Sequence, residues 1–226
     1  AWEKRQVARV AKQAVKKENP EMIFMGGGPG SGKSTLRGWL AKQGNISEDF
    51  RLVINSDDYK FLSKEYAEYG AYGIPEGEAM FLAGRDDAAL VVHKESSKMA
   101  LATLRQVLAD KGTAVFDATM KNSADDMKLI REAKASGHQV SMIGVWVKPE
   151  IAHARGEVRA KETGHHVPKN LYYEGAYGYA ASFPDYLAEV DTIYLYDRNT
   201  DNQNTLILSK DEKGIVIHNE TIIQCM

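Results

Sequence analysis

The stretch over residues 27–35 constrains the fold of this chain more than any other. Its sequence, Gly-Gly-Pro-Gly-Ser-Gly-Lys-Ser-Thr, fits the P-loop pattern G-x-x-x-x-G-K-[ST] without a gap. The apolar run over residues 22–25 suits a buried strand, and Leu36, Trp39 and Leu40 follow at helical spacing. Strand, glycine loop and helix form the setting in which this motif binds a nucleoside triphosphate, and we expect such a site here.

Each residue type in the loop has a chemical reason. Glycines let successive backbone N–H groups turn towards phosphate oxygens, and the start of the following helix adds partial positive charge. We expect Lys33 to reach the β- and γ-phosphates of ATP and the Ser34 hydroxyl to hold Mg²⁺. The predicted nucleotide-binding set is Gly28, Gly30, Ser31, Gly32, Lys33, Ser34 and Thr35. The alternative, a glycine-rich turn that matches by chance, does not explain the flanking strand and helix.

Composition limits the class of protein. A chain of 226 residues with 43% apolar residues suits one globular domain, and a formal net charge of -2 argues against a dedicated nucleic-acid binder. The single Cys225 excludes an internal disulfide and a multi-cysteine metal site. Neither a membrane-spanning run nor a signal peptide is visible, so we expect a cytoplasmic protein, in a bacterium or in the host cell of an effector.

Apolar periodicity predicts strands that alternate with helices along the rest of the chain. The predicted strands cover 52–54, 114–116, 140–147 and 192–196, and the predicted helices cover 87–110, 124–135, 149–163 and a stretch that ends at Val190. This alternation indicates an α/β protein with the three-layer fold of P-loop kinases, around a central, mainly parallel five-stranded sheet.

The two ends of the chain differ from this pattern. Residues 2–17 carry a narrow apolar stripe typical of a helix, and the runs 205–208 and 215–217 flank a turn typical of a β-hairpin. We expect an N-terminal helix within residues 1–20, a P-loop kinase domain over 21–200, and a C-terminal β-hairpin over 201–226 that extends the same domain.

Carboxylates follow two of the predicted strands. Asp57 and Asp58 come after the second strand and Asp117 after the third, and ligands of parallel sheets lie beyond such strand ends. We expect Asp57 to accept the proton of an attacking hydroxyl and to touch Mg²⁺ through water, or Asp117 instead to be the carboxylate beside the hydrated metal. The alternative is that Ser56 or Asp57 only caps a helix.

Two arginines could meet the transferred phosphoryl group. Arg155 and Arg159 lie one helical turn apart, just before a glycine-histidine-proline loop that could close as a lid. The alternative is an exposed face of salt bridges with neighbouring glutamates. The guanine-specificity pattern Asn-Lys-x-Asp is missing, which favours ATP as the phosphate donor.

Taken together, these stretches resemble the zeta toxin family of P-loop kinases. The resemblance covers about residues 21–200 and includes the P-loop, the Asn-Ser-Asp-Asp-Tyr-Lys run over 55–60, the helix start His93-Lys94-Glu95, the strand end over 115–119, the lid over 155–168 and the final strand with Tyr196-Asp197-Arg198-Asn199. It implies that Asp57 is the catalytic base, that Arg159 stabilises the transferred phosphate, that Glu95 and Thr119 contact the acceptor, and that Asp117 lies near it. His165 stands where the family usually has a second lid arginine; either His165 or Arg155 could substitute for it.

The resemblance also implies a substrate and a partner. Family members phosphorylate the 3′-hydroxyl of the sugar in UDP-N-acetylglucosamine, relatives among bacterial effectors act on a ribose hydroxyl of NAD, and an antitoxin protein usually restrains the kinase. Two other functions stay open at this point: a polynucleotide 5′-hydroxyl kinase, and a binding module in which ATP only organises a surface.

Overall fold

A computed structural model describes residues 2–60, 93–163, 167–224 and 226. Its strands are β1 (Val15–Lys16), β2 (Glu21–Gly26), β3 (Val53–Asn55), β4 (Gly112–Asp117), β5 (Gln139–Trp146), β6 (Thr192–Asp197), β7 (Thr205–Asp211) and β8 (Gly214–Ile217). Its α-helices are α1 (Trp2–Ala11), α2 (Lys33–Lys42), α3 (Ser56–Lys60), α4 (His93–Ala109), α5 (Ser123–Ala135), α6 (Pro149–Thr163), α7 (Lys169–Glu189) and α8 (Glu220–Gln224), and a 3-10 helix spans Glu48–Arg51.

Five parallel strands form the centre of the sheet, in the order β3-β4-β2-β5-β6. The register aligns Asn55 of β3 with Asp117 of β4, and Asp117 with Met25 of β2. The carboxyl ends of these three strands therefore lie side by side, and the segments that follow them meet at one edge of the sheet, where ligands of parallel sheets bind. The predicted three-layer fold with its parallel five-stranded sheet is confirmed.

Helices cover both faces of this sheet, which is why its central strand β2 is apolar and buried from Met22 to Gly26. Phe24 of β2 packs in a buried cluster with residues of α4, α5 and α7, such as Leu104 and Tyr179. Met25, the next residue, points to the opposite face and packs with Leu36 of α2. This alternation along a fully buried strand is typical of parallel sheets with helices on both sides.

The N-terminal helix is shorter than the predicted span of residues 2–17. It ends at Ala11, and Val15–Lys16 forms the edge strand β1, antiparallel to the beginning of β4. The free edge of β4 offers backbone partners there: Val15 pairs with Thr113, and the amide of Lys17 donates to the carbonyl of Lys111 at 3.2 Å. Long-range pairing with the sheet thus replaces the last helical turns.

The other boundaries follow the sequence pattern closely. The C-terminal hairpin is present, with β7 antiparallel to β6 and β8 antiparallel to β7. The helix predicted over 87–110 is described as α4 from His93 onwards, and residues 87–92 lie outside the described residues. The short helix α8 and the 3-10 helix were not predicted, because neither has enough length to show periodicity.

Candidate active site

A cleft of about 1050 Å³ lies at the carboxyl ends of the parallel strands. Its lining joins the P-loop, the start of α3, the end of β4, helix α6 and the segment after β6. The predicted site residues that line it are Gly28, Gly30, Ser31, Gly32, Lys33, Ser34, Thr35, Asp57, Asp117, Arg155 and Arg159. Residues predicted from four separate parts of the chain are thus brought to one place by the fold.

The P-loop connects β2 to α2 with the backbone geometry that its glycines allow. Gly27, Gly30 and Gly32 have φ of 145°, 69° and 85°, a region that residues with a side chain rarely adopt. Gly32 is the N-cap of α2 and no side chain caps it. The first N–H groups of the helix are therefore directed into the cleft, as a phosphate-binding loop requires.

Lys33 lies across the P-loop and faces a carboxylate. Its Nζ donates to the carbonyl oxygen of Gly27 at 2.8 Å and lies 3.7 Å from Asp117 Oδ1. Asp117 is 7% exposed, and Oδ1 is buried without a hydrogen-bond partner among the described residues. A buried carboxylate oxygen of this kind suits a cation or a hydroxyl donor at the same place, since a buried acceptor without a partner is costly.

Asp57 and Asp58 lie in the first turn of α3, which begins directly after β3. The side chain of Asn55 caps this turn, because its Oδ1 accepts from the amide of Asp57 at 2.9 Å. Asn55, and not Ser56 or Asp57, therefore caps this helix. The pKa of the Asp58 carboxyl is raised by desolvation and by the negative charges of Asp57 and Asp117.

A lysine that was not predicted accompanies Asp57. Lys60 Nζ lies 2.7 Å from Asp57 Oδ1, and Lys60 is 4% exposed although it lines the cleft. Desolvation lowers the pKa of His93. The positive charges of Lys60 and Lys121 lower it further, whereas the negative charge of Asp57 raises it. The start of α4 therefore lies within electrostatic reach of Asp57.

Helix α6 presents its two arginines differently. Arg155 Nη2 lies 2.6 Å from Asp201 Oδ1 and donates to the carbonyl of Arg198 at 2.9 Å, so its guanidinium fastens the segment that follows β6. Arg159 lines the cleft, and its positive charge reaches the hydroxyl of Tyr172 on α7. The predicted role of Arg155 at a phosphate stays a prediction, and its contacts here are structural ones.

Arg198 is a second residue that sequence reasoning did not single out. It is 7% exposed, lines the cleft, and donates from Nη1 to the carbonyl of Gly32 at 2.8 Å. Desolvation and the nearby charge of Arg155 lower the pKa of its guanidinium. A buried arginine against the P-loop was visible in the sequence only as part of the family-like ending of the final strand.

Three residues that were predicted to contact the acceptor are not among the described residues that line the cleft. Thr119 accepts the amide of Gly27 with its carbonyl oxygen at 3.2 Å, which places it at the start of the P-loop, and Glu95 lies in the first turn of α4. Neither is among the described residues that line the cleft. His165 lies outside the described residues.

Two other kinds of site are absent from the described residues. None of the helices in this part of the chain is long and apolar enough to cross a membrane. No three His, Cys, Asp or Glu side chains in it are grouped so that they could hold a metal ion.

The fold and the cleft together define a P-loop protein of the kinase type. The sequence profile of the zeta toxin family matches residues 5–213. The chain belongs to the zeta toxin family. A comparison with curated proteins found no significant match.

Solved structures have the same fold at low sequence identity. A structure from the PezAT chromosomal toxin–antitoxin system of Streptococcus pneumoniae has a TM-score of 0.63 at 19% identity, over 89% of this chain and 77% of that one. The AvrRxo1-ORF1:-ORF2 complex with ATP has a TM-score of 0.69 at 14% identity, over 99% and 70%. A structure of the Pnkp1/Rnl/Hen1 RNA repair complex has a TM-score of 0.52 at 17% identity, over 75% and 47%.

Proposed function

We propose that this protein is an ATP- and Mg²⁺-dependent kinase that phosphorylates a hydroxyl of a nucleotide-type small molecule. The first candidate acceptor is UDP-N-acetylglucosamine, at the 3′-hydroxyl of its sugar. One observation carries the proposal: Lys33, Asp57 and Arg159 line a single cleft, although they come from three separate parts of the chain. A phosphoryl-transfer site needs a phosphate-binding cation, a group that orients the nucleophile and a second cation for the developing charge.

The donor side of the cleft fits ATP. The positive φ of Gly30 and Gly32 turns backbone N–H groups towards the cleft, and Lys33 lies beside them for the β- and γ-phosphates. Ser34, at the start of α2, and Asp57 would hold Mg²⁺, with Asp117 nearby. Magnesium in kinases needs only one or two such protein ligands beside phosphates and water, and it would neutralise charge on the β- and γ-oxygens.

On the acceptor side, Asp57 orients the attacking hydroxyl. The hydroxyl oxygen forms a bond to the γ-phosphorus, the bond from that phosphorus to the β–γ bridging oxygen breaks, and ADP leaves. The proton of the hydroxyl passes to the Asp57 carboxylate. Arg159 stabilises the negative charge on the transferred group, and Glu95, Thr119, Asp117 and His165 are the proposed acceptor contacts.

A protein partner is part of the proposal. A kinase that consumed a nucleotide sugar would harm the cell that makes it, and members of this family occur with restraining proteins: the PezAT structure belongs to a toxin–antitoxin system. We therefore expect an antitoxin to bind this protein and to suppress its activity. Growth arrest on expression of the chain alone, relieved by the partner gene, would support that part.

The decisive experiment measures phosphate transfer by the purified protein from ATP to UDP-N-acetylglucosamine and to NAD in parallel, with the products weighed by mass spectrometry. A product one phosphate heavier than UDP-N-acetylglucosamine is expected. A gain on NAD alone would move the protein to the effector type with the same catalytic residues. Transfer only to the 5′-hydroxyl of an oligonucleotide would make it a polynucleotide kinase, and no transfer together with ATP-dependent capture of a partner would favour a binding module.

A further inference from the structure

Lys60 combines deep burial with a position at the catalytic cleft. It is 4% exposed, lines the cleft, and holds Asp57 Oδ1 at 2.7 Å from its Nζ. Burying an ammonium group has a large free-energy cost unless it is paired and hydrogen-bonded. An exposed lysine would have served the stability of a five-residue helix as well, so the burial of this one needs another reason.

Lys60 has more N–H donors than the partners that the described residues give it. A lysine ammonium has three N–H donors, and within the described residues its one ion pair is the pair with Asp57. Asp58 on α3 and His93 on α4 are two further titratable groups that interact electrostatically with Asp57. Neither places a further acceptor on Lys60 Nζ.

The position of Lys60 determines which group can accept hydrogen bonds from its remaining N–H donors. Under the proposed function, Asp57 receives the proton of the acceptor hydroxyl, and Lys60 is bonded to that same carboxylate. Oxygens on adjacent carbons of a sugar lie within hydrogen-bond distance of each other, which is close to the 2.7 Å between Lys60 Nζ and Asp57 Oδ1. We infer that Lys60 is a positioning residue that fixes the Asp57 carboxylate and, through its remaining N–H groups, binds the acceptor oxygen vicinal to the phosphorylated hydroxyl.

This inference rests on the proposed function and narrows its substrate class to vicinal diols. In UDP-N-acetylglucosamine the vicinal oxygen is the 4-hydroxyl of the sugar, since the carbon on the other side carries the N-acetyl group. In NAD it would be the second hydroxyl of a ribose. An acceptor without such an oxygen loses the contact with Lys60 and keeps the contact with Asp57.

The matched variants are Lys60→Met, which removes the ammonium, and Lys60→Arg, which keeps a charged donor. Lys128→Met is the control, because Lys128 forms the same i,i+3 pair with Asp125 at 2.8 Å on an exposed surface of α5. For Lys60→Met we expect kcat with UDP-N-acetylglucosamine to fall about 100-fold, as a misplaced catalytic group does, and KM for ATP to stay unchanged. Lys60→Arg should recover part of kcat, and Lys128→Met should behave as the unmodified protein.

The specificity readout uses UDP-N-acetylgalactosamine, in which the vicinal hydroxyl has the opposite configuration. The unmodified protein should prefer UDP-N-acetylglucosamine by about 10-fold or more in kcat/KM, and Lys60→Met should lose that preference. A purely structural role for Lys60 would lower the rate with both acceptors equally. That equal loss, or a Lys60→Met variant with normal kcat, would overturn the inference while the proposed function stands.

A second measurement tests the inference on the unmodified protein, in case the Lys60→Met variant does not fold. In an ¹H–¹⁵N spectrum of the lysine ammonium groups of the unmodified protein, a buried and paired Lys60 should exchange its protons slowly enough to give a signal, and Asp57→Asn should shift it. Absence of that signal would also overturn the inference. If the unmodified protein phosphorylates no acceptor, the proposed function fails, and the acceptor half of the inference fails with it.

Discussion

Arg198 Nη1 donates a hydrogen bond to the carbonyl oxygen of Gly32 at 2.8 Å and thereby joins the end of β6 to the P-loop. A Cβ atom at Gly32 would overlap this guanidinium nitrogen. The P-loop therefore depends on glycine at position 32 for two reasons, a φ of 85° and the close approach of Arg198.

The Gly32→Ala variant should lose ATP affinity by at least about 10-fold, because a strained left-handed alanine and the displaced Arg198 together cost on the order of 2 kcal/mol or more. Gly38→Ala is the matched control: Gly38 lies in the interior of α2 with no atom within 4 Å of an added Cβ. There alanine should stabilise the protein by up to about 1 kcal/mol. Isothermal titration with ATP and urea unfolding would check both, and normal ATP affinity in Gly32→Ala would contradict the prediction.

Asp57→Asn should abolish phosphate transfer while ATP still binds. Asparagine keeps the size of the side chain but can neither accept the proton nor pair as a charge with Lys60, 2.7 Å away. We expect a loss of kcat of at least about 100-fold, the usual scale for a general base. Steady-state kinetics with ATP and the acceptor would measure it, and Asp185→Asn, at an exposed position of α7, is the control. Near-normal turnover in Asp57→Asn would show that the base is another residue.

The two lid arginines should behave differently when each is replaced by glutamine. Arg159→Gln should lower kcat about 100-fold or more with little change in KM for ATP, because its charge acts on the transferred phosphate. Arg155→Gln should lower the melting temperature as well as activity, because it releases Asp201 and the carbonyl of Arg198. If Arg155→Gln instead gave a pure kcat effect at an unchanged melting temperature, Arg155 would be the phosphate ligand that the sequence suggested.

His138 should make stability depend on pH. It is 5% exposed, its Nε2 donates to the carbonyl of Gly112 at 3.0 Å, and burial lowers its pKa below 6.5. The unfolded chain therefore takes up a proton at a higher pH than the folded one, and the stability from this site is complete above about pH 6.5 and is lost as the pH falls towards the lowered pKa.

Urea unfolding at pH 7.5 and pH 5.5 would measure that effect. His138→Gln should reduce the loss of unfolding free energy between the two values by on the order of 1 kcal/mol. His218→Gln, at an exposed position after β8, is the control and should change little. An equal pH dependence in His138→Gln and in the unmodified protein would contradict the assignment.

Local sequence predicted most of the fold. The run before the P-loop, the loop itself and the helix after it are each determined by near neighbours, since backbone torsion angles and apolar periodicity act within a few residues. The helix predicted over residues 2–17 was too long because a long-range contact determines the structure of its last residues. Val15 pairs with Thr113, about a hundred residues away, and no local pattern shows that partner.

The candidate site divides in the same way. The sequence alone determined the P-loop, the carboxylates at two strand ends and the arginines of the lid helix, because each is a residue type at a fixed offset from a strand or helix end. Only the tertiary structure decided that Lys60 is buried on Asp57, that Arg155 holds Asp201, and that Arg198 reaches Gly32 across 166 positions. The contacts of Arg155 and Arg198 join elements that are distant in the chain. Lys60 and Asp57 are only three residues apart, but the burial of their pair also depends on packing, which sets which charged side chains lose water and must find partners.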